Sequence, residues 1–430
     1  MQNVSGVRSR LGQILAVVGP LVLAVVIVSS GTWLLHRHDS DWMMDLGVYR
    51  MGGAAVLAGD GKLYNASTSI GLQFTYTPFA ALLFAPLSLL ALPVQGALAI
   101  VLSVVSFALS TFIALGHVWP AATPVRRALV TSLLVLAGLF FVPLSVEMRF
   151  GQTNSLIMLC AVVAFHQASR RPYLAVLLGF AASLKLTPLL LVLVLLLGRR
   201  IRAAIWAGGT FLVTVVIGFA ALPRESADYW FRLFYDSERV GPTLPVFNQS
   251  VRSVIARALG SEHVPGWWVL VSLAILGLGV TLSVSQLRRG LVMPALVSGA
   301  LTGVLASPIS WEMHYMWLAL AAVFAGVAAV RRRRVVDWVV LAVLGVAWFV
   351  PVFNIGLPDW AIEGVGLAPL QYAQAAGYPV AALIFLVWSA ASGGIGMPTS
   401  AEARERDEGE TALTGLKTIL RGLRVAWPAR

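Results

Sequence analysis

Apolar runs long enough to cross a bilayer recur from Leu11 to Trp388, and this feature excludes most of what a 430-residue chain can fold into. Each crossing needs about 20 residues, so the length allows roughly a dozen. The runs are continuous rather than alternating, and an open sheet cannot satisfy its backbone in lipid, so the spanning elements are helices. Only 12% of the residues are charged and mean hydropathy is +0.83, where a soluble domain carries roughly 25% charged residues. An all-α polytopic membrane protein is expected. Cys160 is the only cysteine, which excludes an internal disulfide and a cysteine metal cluster.

The net charge of +12 would raise the question of nucleic acid in a soluble protein. Here topology explains it, because the basic residues cluster beside apolar runs: Arg126-Arg127, Arg170-Arg171, Arg199 to Arg202, Arg288-Arg289 and Arg331 to Arg334. Such clusters mark cytoplasmic span ends. The first run, Leu11 to Leu35, exceeds a signal-peptide core and other spans follow it, so it reads as the first crossing. With Arg8 and Arg10 inside, residues 36–77 lie outside, and Pro78 to Leu92, broken by Pro86 and Pro93, reads as a tilted or surface-lying lead-in to one span. A span from about Ala128 to Val146 and another from Ser155 to His166 follow. The run Tyr173 to Leu197 has basic residues at both flanks and Lys185 in its middle. Two short helices meeting at Lys185, the second started by Pro188, keep both flanks inside and lift the lysine to the outer interface. Six further spans make twelve, with outer loops at 36–77, 223–266 and 353–376. Residues 1–399 then form one transmembrane domain, and 400–430 a mixed-charge cytoplasmic tail whose end, Thr414 to Trp427, is weakly amphipathic.

Ionisable residues gather at the outer span ends. Asp45 follows the first span and opens a segment in which Leu46, Tyr49, Ala54 and Leu57 share a helical face. An N-cap accounts for an acid there, but Glu147, Lys185 and His314 are expected at the same level, and ionisable groups at membrane depth are costly and usually functional. Lys185 sits between two apolar helices, where a cation suits a phosphate, although lysines also snorkel. Gln152, Asn154, Asn248 and Gln249, near aromatic residues, offer what sugar hydroxyls need, but loops use the same side chains as caps. No metal site is expected: the acids lack EF-hand spacing, and no His-x-x-x-His or Walker A motif exists.

Several segments together resemble a known family: Asp45-Leu46-Gly47-Val48-Tyr49, Gly59 to Tyr64, Phe74 to Leu87, Gly151-Gln152-Thr153-Asn154, Lys185 with Pro188, Asn248-Gln249-Ser250, and Ser307 to Trp311 with His314. In this order they resemble the polyprenyl-phosphate-mannose-dependent α-1,2-mannosyltransferases of actinobacteria, within the GT-C superfamily. Thr77 departs from an expected proline, and Met313 stands where a second histidine is frequent. The resemblance implies a GT-C-like bundle of about twelve helices at the plasma membrane, with its active site on the extracytoplasmic face and no cofactor or metal. It implies inverting transfer of mannose from a polyprenyl-phosphate donor to a glycolipid acceptor in phosphatidylinositol mannoside, lipomannan or lipoarabinomannan synthesis. Asp45 is expected as general base with His314 as a second catalytic residue, Lys185 and Arg252 at the donor phosphate, and Tyr49, Tyr76, Glu147, Gln152, Asn154, Asn248, Gln249 and Trp311 around sugar or acceptor. The nearest alternatives are an arabinosyl or glucosyl donor and, in another class, a secondary transporter with embedded Lys and Glu.

Overall fold

A computed structural model describes residues 2–39, 41–349, 364 and 366–392. The expected tail at 400–430 and much of the expected loop at 353–376 lie outside the described residues.

Among the described residues the helices are, in chain order, α1 (Gln2–His36), α2 (Met44–Ala58), α3 (Pro78–Ser88), α4 (Leu92–Val118), α5 (Pro124–Ala137), α6 (Val142–Phe150), α7 (Asn154–Gln167), α8 (Val176–Leu184), α9 (Leu189–Leu197), α10 (Ile201–Ala221), α11 (Pro223–Phe231), α12 (Val251–Leu259), α13 (Trp267–Arg288), α14 (Val292–Ala306), α15 (Trp317–Arg332), α16 (Val335–Phe349), α17 (Pro369–Ala375) and α18 (Gly377–Ala391). Among the described residues, five helical segments are long and apolar enough to cross a membrane: Gly12–His36, Leu92–Val118, Ile201–Ala221, Trp267–Arg288 and Glu312–Arg332. Two bent pairs, α5 with α6 at 73° and α17 with α18 at 68°, raise this to seven. The chain is an all-helical, polytopic membrane protein.

Three local features bring polar residues together. The first is the run expected as one span from Ala128 to Val146. It breaks after Ala137, passes through a 3₁₀ turn at Gly138–Phe140, and resumes as α6 at a sharp angle. Pro143 lacks the N–H that would continue the ladder, so it starts the new helix. Gly151 then ends α6 at φ 71°, where its N–H donates to the Glu147 carbonyl. A Cβ there would strike Leu46 and Met43, so glycine serves both the left-handed turn and the close approach to α2.

The second feature is the reversal at Lys185. α8 stops at Leu184, Lys185 is extended (φ −138°, ψ 137°), and α9 begins at Leu189 with Pro188 as its cap residue. A Cβ at Gly179 of α8 would meet Ala207 and Thr210 of α10, while one at Gly208 would touch Val192 of α9. Both short helices therefore lie on one stretch of α10, and the chain doubles back at the lysine as its basic flanks require. The third is the pairing of α2 with α3. Gly53 packs against the backbone of Phe84 and Ala85, where any side chain would collide, and Tyr49 stacks on Phe84 with centroids 4.4 Å apart. α3 is a separate helix from α4. Its N-cap Thr77 accepts from the Ala80 N–H at 3.2 Å, and the Gln95 amide donates to the Leu87 and Leu90 carbonyls at the α3–α4 turn.

The far ends of the helices carry the basic clusters. Arg288 donates to the Leu197 carbonyl at 2.7 Å, joining the ends of α13 and α9, and His166 meets His117 at 3.2 Å, joining those of α7 and α4.

Candidate active site

Asp45 lies in the first turn of α2, one residue inside the helix rather than at its N-cap. The N-cap is Met43, held left-handed (φ 58°) and donating its N–H to the Arg149 carbonyl at 2.8 Å. A left-handed residue other than glycine costs about 1 kcal/mol or more, and the surrounding contacts hold it there. The loop before it is clasped by Arg149, whose guanidinium donates to Asp41 at 2.6 Å and pairs with Asp39 at 3.2 Å. The two acids that flank the first span thus strut the loop that presents Asp45, a role their spacing gave no sign of.

Around Asp45 the structure brings together residues from four stretches of the chain: 45–49, Tyr76, 147–155 and Lys185. Lys185 donates to Gln152 Oε1 at 2.7 Å and to Asn154 Oδ1 at 3.0 Å. Gln152 Oε1 also accepts from the Tyr49 hydroxyl at 2.8 Å, and the Tyr76 hydroxyl stands 3.2 Å from that of Tyr49. Since Tyr49 has one proton and gives it to Gln152, Tyr76 is the donor of the second pair. Gln152 also lies close enough to Asp45 to stabilise its ionised carboxylate. Beyond Asn154, Glu147 is fully buried at 0% exposure and accepts from Asn154 Nδ2 at 2.8 Å and from the Ser155 N–H and hydroxyl at 2.7 Å each. Lys185 is therefore held by two amides, and that of Asn154 is held in turn by the Glu147 carboxylate.

Burial raises the Asp45 carboxyl above its ordinary range, while the Gln152 hydrogen bond and the Lys185 charge pull it back down. Such a carboxylate is a stronger base than one in water. Burial lowers the Lys185 ammonium to about 8, against the pull of Glu147 and Asp45. Thr77 does what a proline in its place could not: its hydroxyl donates to the Ser183 carbonyl, just before the lysine.

His314 lies in a 3₁₀ turn, Glu312–Met316, that precedes α15. Its Nδ1 accepts from the Trp311 backbone N–H at 3.2 Å, so Nε2 carries the proton and the ring is a donor rather than a base. It lies within electrostatic range of Lys185 and, with Asn154, Thr187, Pro188 and Ser310, lines one cleft. Trp311 pairs with Asn248 in an isolated antiparallel bridge and packs its ring where a side chain at Gly241 would sit.

Asn248 and Gln249 do not join the polar cluster. Both are fully buried. Asn248 Oδ1 accepts from the backbone N–H groups of Ser250 and Ser310 at 3.1 Å, while the Gln249 amide donates to the Ala375 carbonyl at 2.8 Å. Their polarity is consumed in tying the α11–α12 connection to the Ser307–Ser310 turn and α17. Arg252 holds its guanidinium 5.3 Å from the Trp268 ring. The buried cation of this region is Arg257, at 1% exposure, which the sequence reading passed over. It donates to the Asn248 and Ala375 carbonyls at 2.8 and 2.9 Å, so it is scaffold.

A helical membrane protein with an acid and a hydrogen-bonded ammonium side by side at helix ends has the makings of a group-transfer enzyme working on a charged lipid. Comparison with known sequences identifies which. The model of glycosyltransferase family 87 matches residues 74–308, just over half of the chain, including Tyr76, Glu147, Gln152, Asn154 and Lys185. A polyprenol-phosphate-mannose-dependent α-(1-2)-phosphatidylinositol mannoside mannosyltransferase of Mycobacterium tuberculosis is 32% identical over 345 residues, covering 76% of this chain and 80% of its own. That of Mycolicibacterium smegmatis is 33% identical over 318 residues, covering 68% and 72%. A phosphatidylinositol pentamannoside mannosyltransferase of Mycobacterium tuberculosis is 31% identical over 389 residues, covering 86% of each. The chain belongs to glycosyltransferase family 87 and is a glycosyltransferase.

Proposed function

We propose that this protein transfers mannose from polyprenol-phosphate-mannose to a phosphatidylinositol mannoside, forming an α-1,2 linkage with inversion. The relatives named above are, by name, polyprenol-phosphate-mannose-dependent α-(1-2) mannosyltransferases of phosphatidylinositol mannosides, and the observation that carries the reading here is Lys185 held by Gln152 and Asn154 within electrostatic range of Asp45. The donor already has a good leaving group, so the protein needs to remove a proton from the incoming hydroxyl, hold the anomeric carbon in line, and stabilise the departing phosphate. Asp45 takes the hydroxyl proton as the new C1–O bond forms. The bond from C1 to the phosphate oxygen breaks, and polyprenyl phosphate leaves with one more negative charge. Two of the three Lys185 N–H groups are committed to amides, which leaves the third for that phosphate. His314 Nε2–H, in a cleft that Asn154 also lines, is a second donor, and Tyr49, Tyr76, Gln152 and Trp311 serve sugar or acceptor.

The same reading places the site at the outer face, in one transmembrane domain of residues 1–399 with both termini inside. Twelve crossings result when α7, α8, α9, α14 and α16 each count as one beside the five long helices and the two bent pairs. Its support is the separation of basic clusters from the polar site at opposite helix ends. Cysteine introduced as Lys185→Cys in a Cys160→Ser background should react with an impermeant reagent added from outside, and labelling from the inner side alone would reverse the orientation. The function itself is tested with purified protein, radiolabelled polyprenyl-phosphate sugars and a mycobacterial-type glycolipid extract. Label should pass from the mannose donor. Transfer from an arabinose or glucose donor instead would replace the donor assignment, and no transfer with donor uptake would favour a transporter.

A further inference from the structure

Glu147 stands among the expected sugar-binding residues, yet it has no exposed surface and both its carboxylate oxygens are engaged by Asn154 and Ser155. Oxygen Oε1 accepts from both donors of Ser155, and Oε2 from the Asn154 amide. Three donors on one side chain match an ionised, acceptor-only carboxylate. Asn154 stands between that carboxylate and the Lys185 ammonium, which is donor-only. An amide has one donor end and one acceptor end, so only one orientation satisfies both neighbours: nitrogen to Glu147, oxygen to Lys185. Reversed, it would set oxygen against oxygen on one side and N–H against N–H on the other.

We infer that Glu147 is a positioning residue that acts through Asn154, fixing the amide so that its oxygen aims the Lys185 ammonium at the donor phosphate. The inference rests on the donor-phosphate role proposed for Lys185. Glu147 also caps α7 through the Ser155 N–H, and capping alone would account for its burial. The two roles separate cleanly by substitution. In Glu147→Gln the carbonyl oxygen still caps Ser155, but an NH2 now faces Asn154. The asparagine must turn its oxygen toward that NH2, and its own NH2 then points at the lysine. A cap-only residue predicts a nearly silent change, whereas positioning predicts that the donor KM rises on the order of tenfold, the scale of one lost charge-assisted hydrogen bond.

Reversing the polarity of the relay distinguishes positioning from any general need for polarity. Asn154→Asp alone sets two carboxylates 2.8 Å apart and should also weaken donor binding. Combined as Glu147→Gln with Asn154→Asp, the glutamine donates to the aspartate and the aspartate accepts from Lys185. The chain of complementary contacts returns with unchanged net charge, so the double variant should bind donor within a few-fold of the parent. The measurement is donor KM against kcat for the parent, both single variants, the double variant and Lys185→Met, with a thermal melt for each. Asn154→Ala, which leaves the Ser155 cap in place, gives a second readout if Glu147→Gln does not fold, and it too should raise donor KM. If Lys185→Met raises donor KM but the double variant is no better than the worse single, or Asn154→Ala leaves donor KM unchanged, the positioning role of Glu147 is overturned. If Lys185→Met itself leaves donor KM unchanged, the phosphate role of the lysine falls instead.

Discussion

Asp45→Asn should lower turnover by roughly 100-fold or more while the protein still folds, the usual scale for removing a general acid or base. Asparagine keeps the size of the side chain and can still bond to Gln152, but it cannot take a proton. The alternative origin of an acid at this position is helix capping, and Asn caps about as well as Asp, so capping predicts an almost silent substitution. The structure already weakens that alternative, because the N-cap is Met43, whose side chain makes no cap hydrogen bond, and Asp45 lies inside the helix. A pH signature accompanies the loss. Burial sets the Asp45 pKa above its ordinary value, and the ionised form is the active one, so kcat/KM should fall with acid in a range above that of ordinary carboxylates. A wild-type-like rate for Asp45→Asn in the mannosyl-transfer assay would remove Asp45 from the mechanism.

Each feature of the fold leaves its own kind of signal in the sequence, and some leave none. The reversal at Lys185 was legible because charge asymmetry reports which side a helix end lies on, and a single crossing there would have put one arginine cluster on the wrong side. The cap at Pro188 was legible within one residue, since the missing N–H costs proline nothing at a helix start. By contrast, the bend between α5 and α6 leaves no mark on hydropathy. The run is apolar throughout, and a 73° turn changes direction rather than composition. Pro143 was there to be read, but proline also occurs in unbroken membrane helices, where neighbouring groups satisfy the freed carbonyl. The number of crossings suffers from the same blindness, because many of the helices are shorter than a bilayer requires.

The polar residues show a similar division. Lys185, Gln152, Asn154 and Asp45 were singled out by being polar at the ends of apolar runs, and they converge. Asn248 and Gln249 gave the same signal from sequence, yet fold inward to serve backbone groups of three segments. Nothing local distinguishes an amide that binds substrate from one that binds backbone, since both need the same donors and acceptors. The difference lies in which distant segments pack around it. Arg257 was missed for a related reason: its neighbours in sequence give no sign that Ala375, more than a hundred residues away, supplies a carbonyl for its guanidinium.

Lys185→Glu should have the other large effect, and it separates binding from chemistry. The lost charge-assisted contact is worth about 1.5 to 3 kcal/mol, and the new carboxylate adds repulsion toward the donor phosphate and toward Asp45. Donor KM should therefore rise well beyond tenfold. Because the phosphate gains charge as it departs, the interaction strengthens in the transition state, and kcat should fall as well. Lys185→Arg is the informative companion. The ammonium form is the one that binds, and burial lowers it to about 8, so in the parent protein kcat/KM should decline as pH rises through about 8. A guanidinium stays protonated, so the arginine variant should lose that alkaline decline whatever its absolute rate. Asp45 supports the charge on Lys185, so Asp45→Asn should move the same decline to lower pH in its residual activity. An alkaline limb untouched by Lys185→Arg, together with an unchanged donor titration in Lys185→Glu, would leave the lysine as a structural tie between α7 and α8 and send the search for the phosphate partner to His314.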